Sequence, residues 1–141
     1  MSVIHMLSAV ALPFLLMAAS YTDIRDRIIP NGICAMICLC ALPNVSAENF
    51  LGVSLALPLL LIGVLSDGIG GGDIKLSGAL GFALGYQCIL VTLLSGLSVM
   101  LLFHAVLTMI RKRKNEAICC TYPMAPFIAV GYGIMLLVKI I

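Results

Sequence analysis

The stretch Gly68–Leu76, GIGGGDIKL, interrupts a chain that is otherwise almost continuously apolar. Glycines, an aspartate and a lysine stand where a hydrophobic segment should begin, and how this interruption is read decides the fold. Of the 141 residues, 62 % are hydrophobic and 10 % charged, and the mean hydropathy is +1.20. A water-soluble domain of this size cannot hide so much apolar surface, because small domains keep a large share of their area exposed. The chain therefore reads as an all-α integral membrane protein, with residues 1–141 expected to form a single membrane-embedded domain.

The apolar segments on either side of the interruption set the expected crossings. Phe50–Leu65 precedes it, and Leu76–Ile110 follows without a single charge. That second run is long enough to cross twice, with Gly85–Gln87 (GYQ) as the turn and Cys88–Ile110 as the second pass. The pass starting at Ile74 has only about thirteen residues, or near 20 Å at 1.5 Å per residue. It is too short for a hydrocarbon core of about 30 Å, so its glycine-rich lead-in is expected to lie below the membrane surface. Irregular backbone is tolerated there only against protein or a water-filled cavity. Further segments are expected at Val3–Tyr21, at Ile28–Leu42 with Pro30 in its first turn, and at Tyr122–Val138, with Pro43–Asn49 as a turn. The first segment lacks a basic n-region, so it is read as a retained helix and not a cleaved signal peptide.

Six crossings put TDIRDR, SDGIGGGDIK and RKRKNEAICC on one side of the membrane. These carry Arg25, Arg27, Lys75, Arg111, Lys112, Arg113 and Lys114, and only Lys139 falls on the other side. The positive-inside rule makes the basic side cytoplasmic, with both termini extracytoplasmic, in a multi-pass protein of the plasma (inner) membrane. Arg111–Lys114 is read as a topology anchor contacting lipid headgroups. Four basic residues without a basic domain around them do not suggest nucleic-acid binding. The six cysteines (34, 38, 40, 88, 119 and 120) contain no C-x-x-C pair, and His5 and His104 stand alone in apolar segments. Both sets read as packing residues, and no metal site is expected.

Asp23, Asp26, Asp67 and Asp73 fall at the expected cytoplasmic ends of the first four helices. A carboxylate in the hydrocarbon costs roughly 2.5–3.5 kcal/mol on insertion scales, so such groups are functional or sit at the interface. Asp23 is expected just beyond the first helix and Asp73 at the start of the fourth. If those two helices pack together, the carboxylates face each other at one depth. Like charges a few ångström apart cannot both ionise, so such a pair shares a proton. Its ionised member takes a proton from water while the neutral member polarises a peptide carbonyl, with no metal or cofactor needed. Glycines at 70, 71 and 72 would let an extended peptide approach Asp73, and Lys75 and Arg25 would snorkel to the headgroups. The plainer alternative is a loop in which Asp73 merely caps the fourth helix.

Taken together, these stretches resemble the type IV prepilin peptidase family of G-x-G-D membrane aspartic proteases. DIRDRIIPN (Asp23–Asn31) is similar to the family's first motif, an aspartate followed by basic residues and I-P-N. GGGDIKL (Gly70–Leu76) is similar to the second, and YPMAPFIAVGY (Tyr122–Tyr132) to a block in the last helix. The resemblance implies a six-helix core with Asp23 and Asp73 as catalytic aspartates and Asp26 as the fallback for the first. It also implies Gly70 and Gly72 as motif glycines, with Lys75, Arg25, Pro30 and Asn31 around the substrate's approach. The implied substrate is a prepilin or pilin-like precursor whose short basic leader is cut at the cytoplasmic face, typically after a glycine. Longer members carry a cytoplasmic methylating region. The present sequence resembles the short, peptidase-only branch, similar to enzymes serving Tad/Flp pili, and no methyltransferase domain is expected.

A reading from another class is a small transporter or ion-conducting protein using Asp73 at a broken helix. It leaves DIRDRIIPN without a purpose at the same depth. A non-catalytic assembly subunit, the third reading, would tolerate loss of both aspartates.

Overall fold

The computed structural model describes residues 3–66, 70–114 and 123–140. Among these the chain is helical, without strands. In order it forms α1 (Val3–Asp26), α2 (Asn31–Ala41), a short 3₁₀ turn at Leu42–Asn44, α3 (Ala47–Ser54), α4 (Ala56–Ser66), α5 (Gly71–Leu84), α6 (Tyr86–Lys114) and α7 (Ala125–Ile140). Asp67, Gly68, Cys119, Cys120 and Tyr122, to which the sequence reading gave places, lie outside the described residues.

Helix boundaries depart from the apolar stretches in an instructive way. Charges end a hydrophobic run, but they do not end a helix. α1 therefore continues through Thr22–Asp26, so Asp23 belongs to its last turns instead of lying beyond it. Likewise α6 extends through Arg111–Lys114. α2 starts later than expected, at Asn31, with Pro30 as the residue capping its N-terminus. α5 starts earlier, at Gly71, so two of the three glycines and Asp73 are already helical. Between α5 and α6 the expected three-residue turn shrinks to Gly85 alone, at φ +76°, which a side chain would strain. α3 and α4 meet at Leu55 and together offer one apolar stretch, Ala47–Leu65.

α5 is the central helix, packed against α2, α3, α4 and α6, while α7 rests on α1 and α6. Leu16, Ile37, Leu80, Ile89 and Ile128 fill the core with almost no exposure. Helix pairs approach closely at glycines. A Cβ on Gly52 or Gly81 would overlap the other's carbonyl at the α3–α5 crossing, and Gly96 and Gly131 play that part between α6 and α7. Small residues at such crossings are how helices pack where lipid removes the hydrophobic drive between them. Buried Asn49 adds a polar tie: its Oδ1 accepts from the Ser46 N–H, and its Nδ2 donates to the Phe82 carbonyl at 2.6 Å.

Large apolar side chains such as Phe14, Met17, Leu61, Leu65, Leu102 and Met109 point outward. Two helical stretches, Ala47–Leu65 and Tyr86–Ile110, are long and apolar enough to cross a membrane, and the most apolar window of each is only 17 % buried. That outward apolar surface is suited to lipid and would be costly in water.

Candidate active site

At one end of the bundle the C-terminus of α1 meets the N-termini of α2, α5 and α7. α1 stops because Arg27 turns into the left-handed region, φ +53°, and donates its N–H to the Asp23 carbonyl at 3.1 Å. Glycine usually takes this position, and an arginine there costs on the order of 1 kcal/mol. The turn sends the chain through Ile28–Pro30 into α2. Ile29 is buried against α5, 3.2 Å from where a Cβ on Gly72 would lie. Gly70 precedes α5 with φ −66° and ψ 138°, so the positive φ that glycine allows is not used here. Its carbonyl instead receives the Asp73 N–H at 3.0 Å, which places Asp73 in the first turn of the helix.

Asp23, Asp73, Gly70, Gly72, Lys75, Pro30 and Asn31 all line one cavity of about 430 Å³, with Arg27, Ile28, Ile29 and Gly71 completing it. Lys75 turns toward Asn31, donating from Nζ to Oδ1 at 3.2 Å, and so ties α5 to α2 across the cavity. α1 and α5 do not pack along each other. α2 lies between them, and the two aspartates meet only at the cavity. Arg25 and Asp26 are both exposed on the outer side of α1, 3.9 Å apart, and neither lines the cavity.

The two carboxylates are held differently. Asp23 is 7 % exposed, and its Oδ2 accepts the backbone N–H of Ala125 at 2.9 Å, 102 residues along the chain. Ala125 opens α7, Pro126 beside it has no N–H, and the Phe127 and Ile128 N–H groups are taken by the Met124 carbonyl. The first free donor of α7, at the positive end of its dipole, is thus given to Asp23. Asp73 is half-buried. Its Oδ2 faces Gly70, 3.2 Å from where a Cβ would sit, and its Oδ1 is buried without a hydrogen-bond partner.

Sequence reasoning missed two participants. Arg27 lies in the first motif, yet only its left-handed backbone turns it to the cavity. The Ala125 N–H leaves no trace in a side-chain pattern, although Ala125 lies within the Tyr122–Tyr132 stretch. Two acidic groups lining one cavity can pass protons to and from a bound water.

No solved structure matches the chain. Over 110 residues it is 34 % identical to the prepilin peptidase EppA of Methanococcus maripaludis. That alignment takes in 72 % of this chain and 31 % of the relative, so the chain spans about a third of the length of the relative it matches. The sequence profile of the type IV leader peptidase family matches residues 10–110, a range that holds both aspartate motifs. The chain belongs to the type IV leader peptidase family.

Proposed function

We propose that this protein is a membrane aspartic endopeptidase that removes the short basic leader of type IV prepilin-like precursors. The observation that carries the reading is the convergence of Asp23 and Asp73, from two separate motifs, on one cavity. The pair shares one proton. Its ionised member takes a proton from water, whose oxygen attacks the carbonyl carbon of the scissile peptide. The protonated member donates to the carbonyl oxygen, and a tetrahedral diol results. As the diol collapses and the C–N bond breaks, one diol hydroxyl gives its proton to the ionised aspartate and the leaving nitrogen takes the proton of the other, so the pair again holds one proton. No metal or cofactor enters this scheme.

The membrane placement belongs to the same proposal. The chain crosses six times as a single membrane-embedded peptidase domain of the plasma membrane, both termini extracytoplasmic and the site at the cytoplasmic face. Supporting this, Arg25, Arg27, Lys75 and Arg111–Lys114 occupy the helix ends on the cavity's side, and Lys139 stands at the opposite end of α7. α2 and α5, the helices beside the cavity, have 11 and 14 residues. They span only about 16 and 21 Å, so the cavity sits below the level of the headgroups. The basic end of α6 contacts acidic lipid headgroups.

The motif glycines yield a contrast. A Cβ on Gly71 meets nothing within 4 Å, whereas one on Gly72 presses Ile29 at 3.2 Å, between the two motifs. Gly71 also lines the cavity, but its new methyl displaces no neighbour, so Gly71→Ala should cost cleavage no more than about a few-fold. Gly72→Ala should lose about tenfold or more, since small displacements of catalytic groups are costly. Equal behaviour of the two variants in leader cleavage would contradict this packing account.

The proposed activity itself is tested with purified protein in liposomes and a synthetic peptide carrying a basic leader, a glycine and an apolar segment. Mass spectrometry should find one cut after the glycine, unchanged by a metal chelator. An intact peptide, with ion flux through the same liposomes, would favour the transporter reading instead.

A further inference from the structure

Ser77 lies one turn beyond Asp73 on α5, is 1 % exposed, and has a hydroxyl with no hydrogen-bond partner. A serine inside a helix normally satisfies its hydroxyl on the carbonyl one turn back. Ser20, Thr92, Ser95 and Ser98 all do so here, to Leu16, Cys88, Val91 and Leu94 at 2.6–2.8 Å. Ser77 departs from this pattern. Asp73 Oδ1 and Ser77 Oγ are the buried side-chain oxygens without partners among the described residues, and they belong to residues four apart on one helix. Residues at that spacing share a face, with Cβ atoms about 5–6 Å apart, within reach of a direct hydrogen bond or one bridging water. Two orphaned buried oxygens on one helix face can satisfy each other, and leaving either unsatisfied is costly.

We propose that Ser77 is a positioning residue for Asp73, its hydroxyl anchoring Oδ1 so that Oδ2 is presented to the cavity. The proposal rests on the reading of Asp73 as a catalytic aspartate. It gives both carboxylates the same logic. Asp23 has one oxygen anchored by the Ala125 N–H, and under the proposal Asp73 has one anchored by Ser77 while the other is turned toward Gly70. Ser77 does not line the cavity and so acts only through Asp73. Hydrogen bonds of this kind often tighten only when substrate is bound.

The test uses the full chain in liposomes and the leader peptide described above, comparing wild type, Ser77→Ala, Ser77→Thr and Asp73→Asn. Ser77→Ala removes one oxygen from the core and should accumulate normally. It should lower kcat about tenfold with KM unchanged and displace one limb of the pH–kcat profile by about half a pH unit, the size expected for one hydrogen bond to a titrating group. Ser77→Thr, which keeps the hydroxyl, should recover most of the turnover and the profile. Wild-type kcat and profile in Ser77→Ala, with Asp73→Asn inactive, would overturn the positioning role and leave the proposed function intact. A loss in Ser77→Ala that Thr does not restore, with the profile unmoved, would reduce Ser77 to packing and also overturn it. Wild-type turnover in Asp73→Asn would instead remove the function on which the inference rests.

Discussion

Asp73→Asn is expected to lower turnover of a leader-bearing peptide by about 10²–10⁴-fold, the contribution of a positioned acid–base group. The substitution keeps the size of the side chain and the first turn of α5, so the protein should accumulate in membranes as the wild type does. What disappears is the ability to hold or release a proton beside Asp23. Asp23→Asn should be equally damaging, because the carboxylate that Ala125 braces at the positive end of α7 is then gone. The double variant should be little worse than either single one, since groups that act as a unit lose their combined effect at the first deletion. Multiplying losses would mean that the two aspartates work independently. Single-turnover cleavage of the peptide by the purified variants measures all three outcomes.

The second large effect concerns the scaffold. Gly131→Ala places a Cβ onto the Thr92 carbonyl and within 2.8 Å of the Gly96 nitrogen and 3.0 Å of its Cα. All three neighbours are backbone, so no side chain can swing aside. α6 and α7 must separate, and α7 is the helix that delivers the Ala125 N–H to Asp23. A cost of about 3 kcal/mol is expected, at the upper end for overpacking in a close-packed interior. Thermal aggregation in detergent should begin several degrees lower, and residual cleavage should fall with it. Gly133→Ala, on the same helix with nothing within 4 Å of a new Cβ, is the control and should match the wild type. Equal stability of the two variants would mean that the α6–α7 crossing is looser than described.

Much of this was legible in the sequence, for reasons that also mark where legibility stops. Hydropathy identified a helical membrane protein because the apolar excess has no other outlet. The two aspartate motifs announced themselves because charge and glycine are conspicuous against Leu, Ile and Val. Helix ends were less visible. Tyr21 closes the first apolar run, but the α-helix needs only backbone hydrogen bonds and continues to Asp26, which moves Asp23 from a loop onto a rigid element. Nor does the sequence say where Asp73 stands in its helix. Gly70 is the capping residue of α5, and Asp73 sits in the first turn with its outer oxygen toward the cavity side. Arg25 and Arg27 are indistinguishable by composition, and a single left-handed residue sends one to the cavity and leaves the other outside. The bond from Ala125 to Asp23 joins residues 102 positions apart through a backbone donor, which no side-chain pattern can reveal. Ser77 reads as one more small residue in an apolar helix until its missing partner is seen beside that of Asp73.

The central claim is that Asp23 and Asp73, and not the neighbouring Asp26, form the working pair. Its most direct test is leader removal from a co-expressed prepilin, followed by the gel shift of the mature product, in Asp23→Asn, Asp26→Asn and Asp73→Asn. Asp26 is exposed, faces Arg25 and does not line the cavity. Asp26→Asn should process the precursor fully, while Asp23→Asn and Asp73→Asn leave it uncut at equal protein levels. Full processing by Asp23→Asn or Asp73→Asn, or loss of processing in Asp26→Asn alone, would contradict the account.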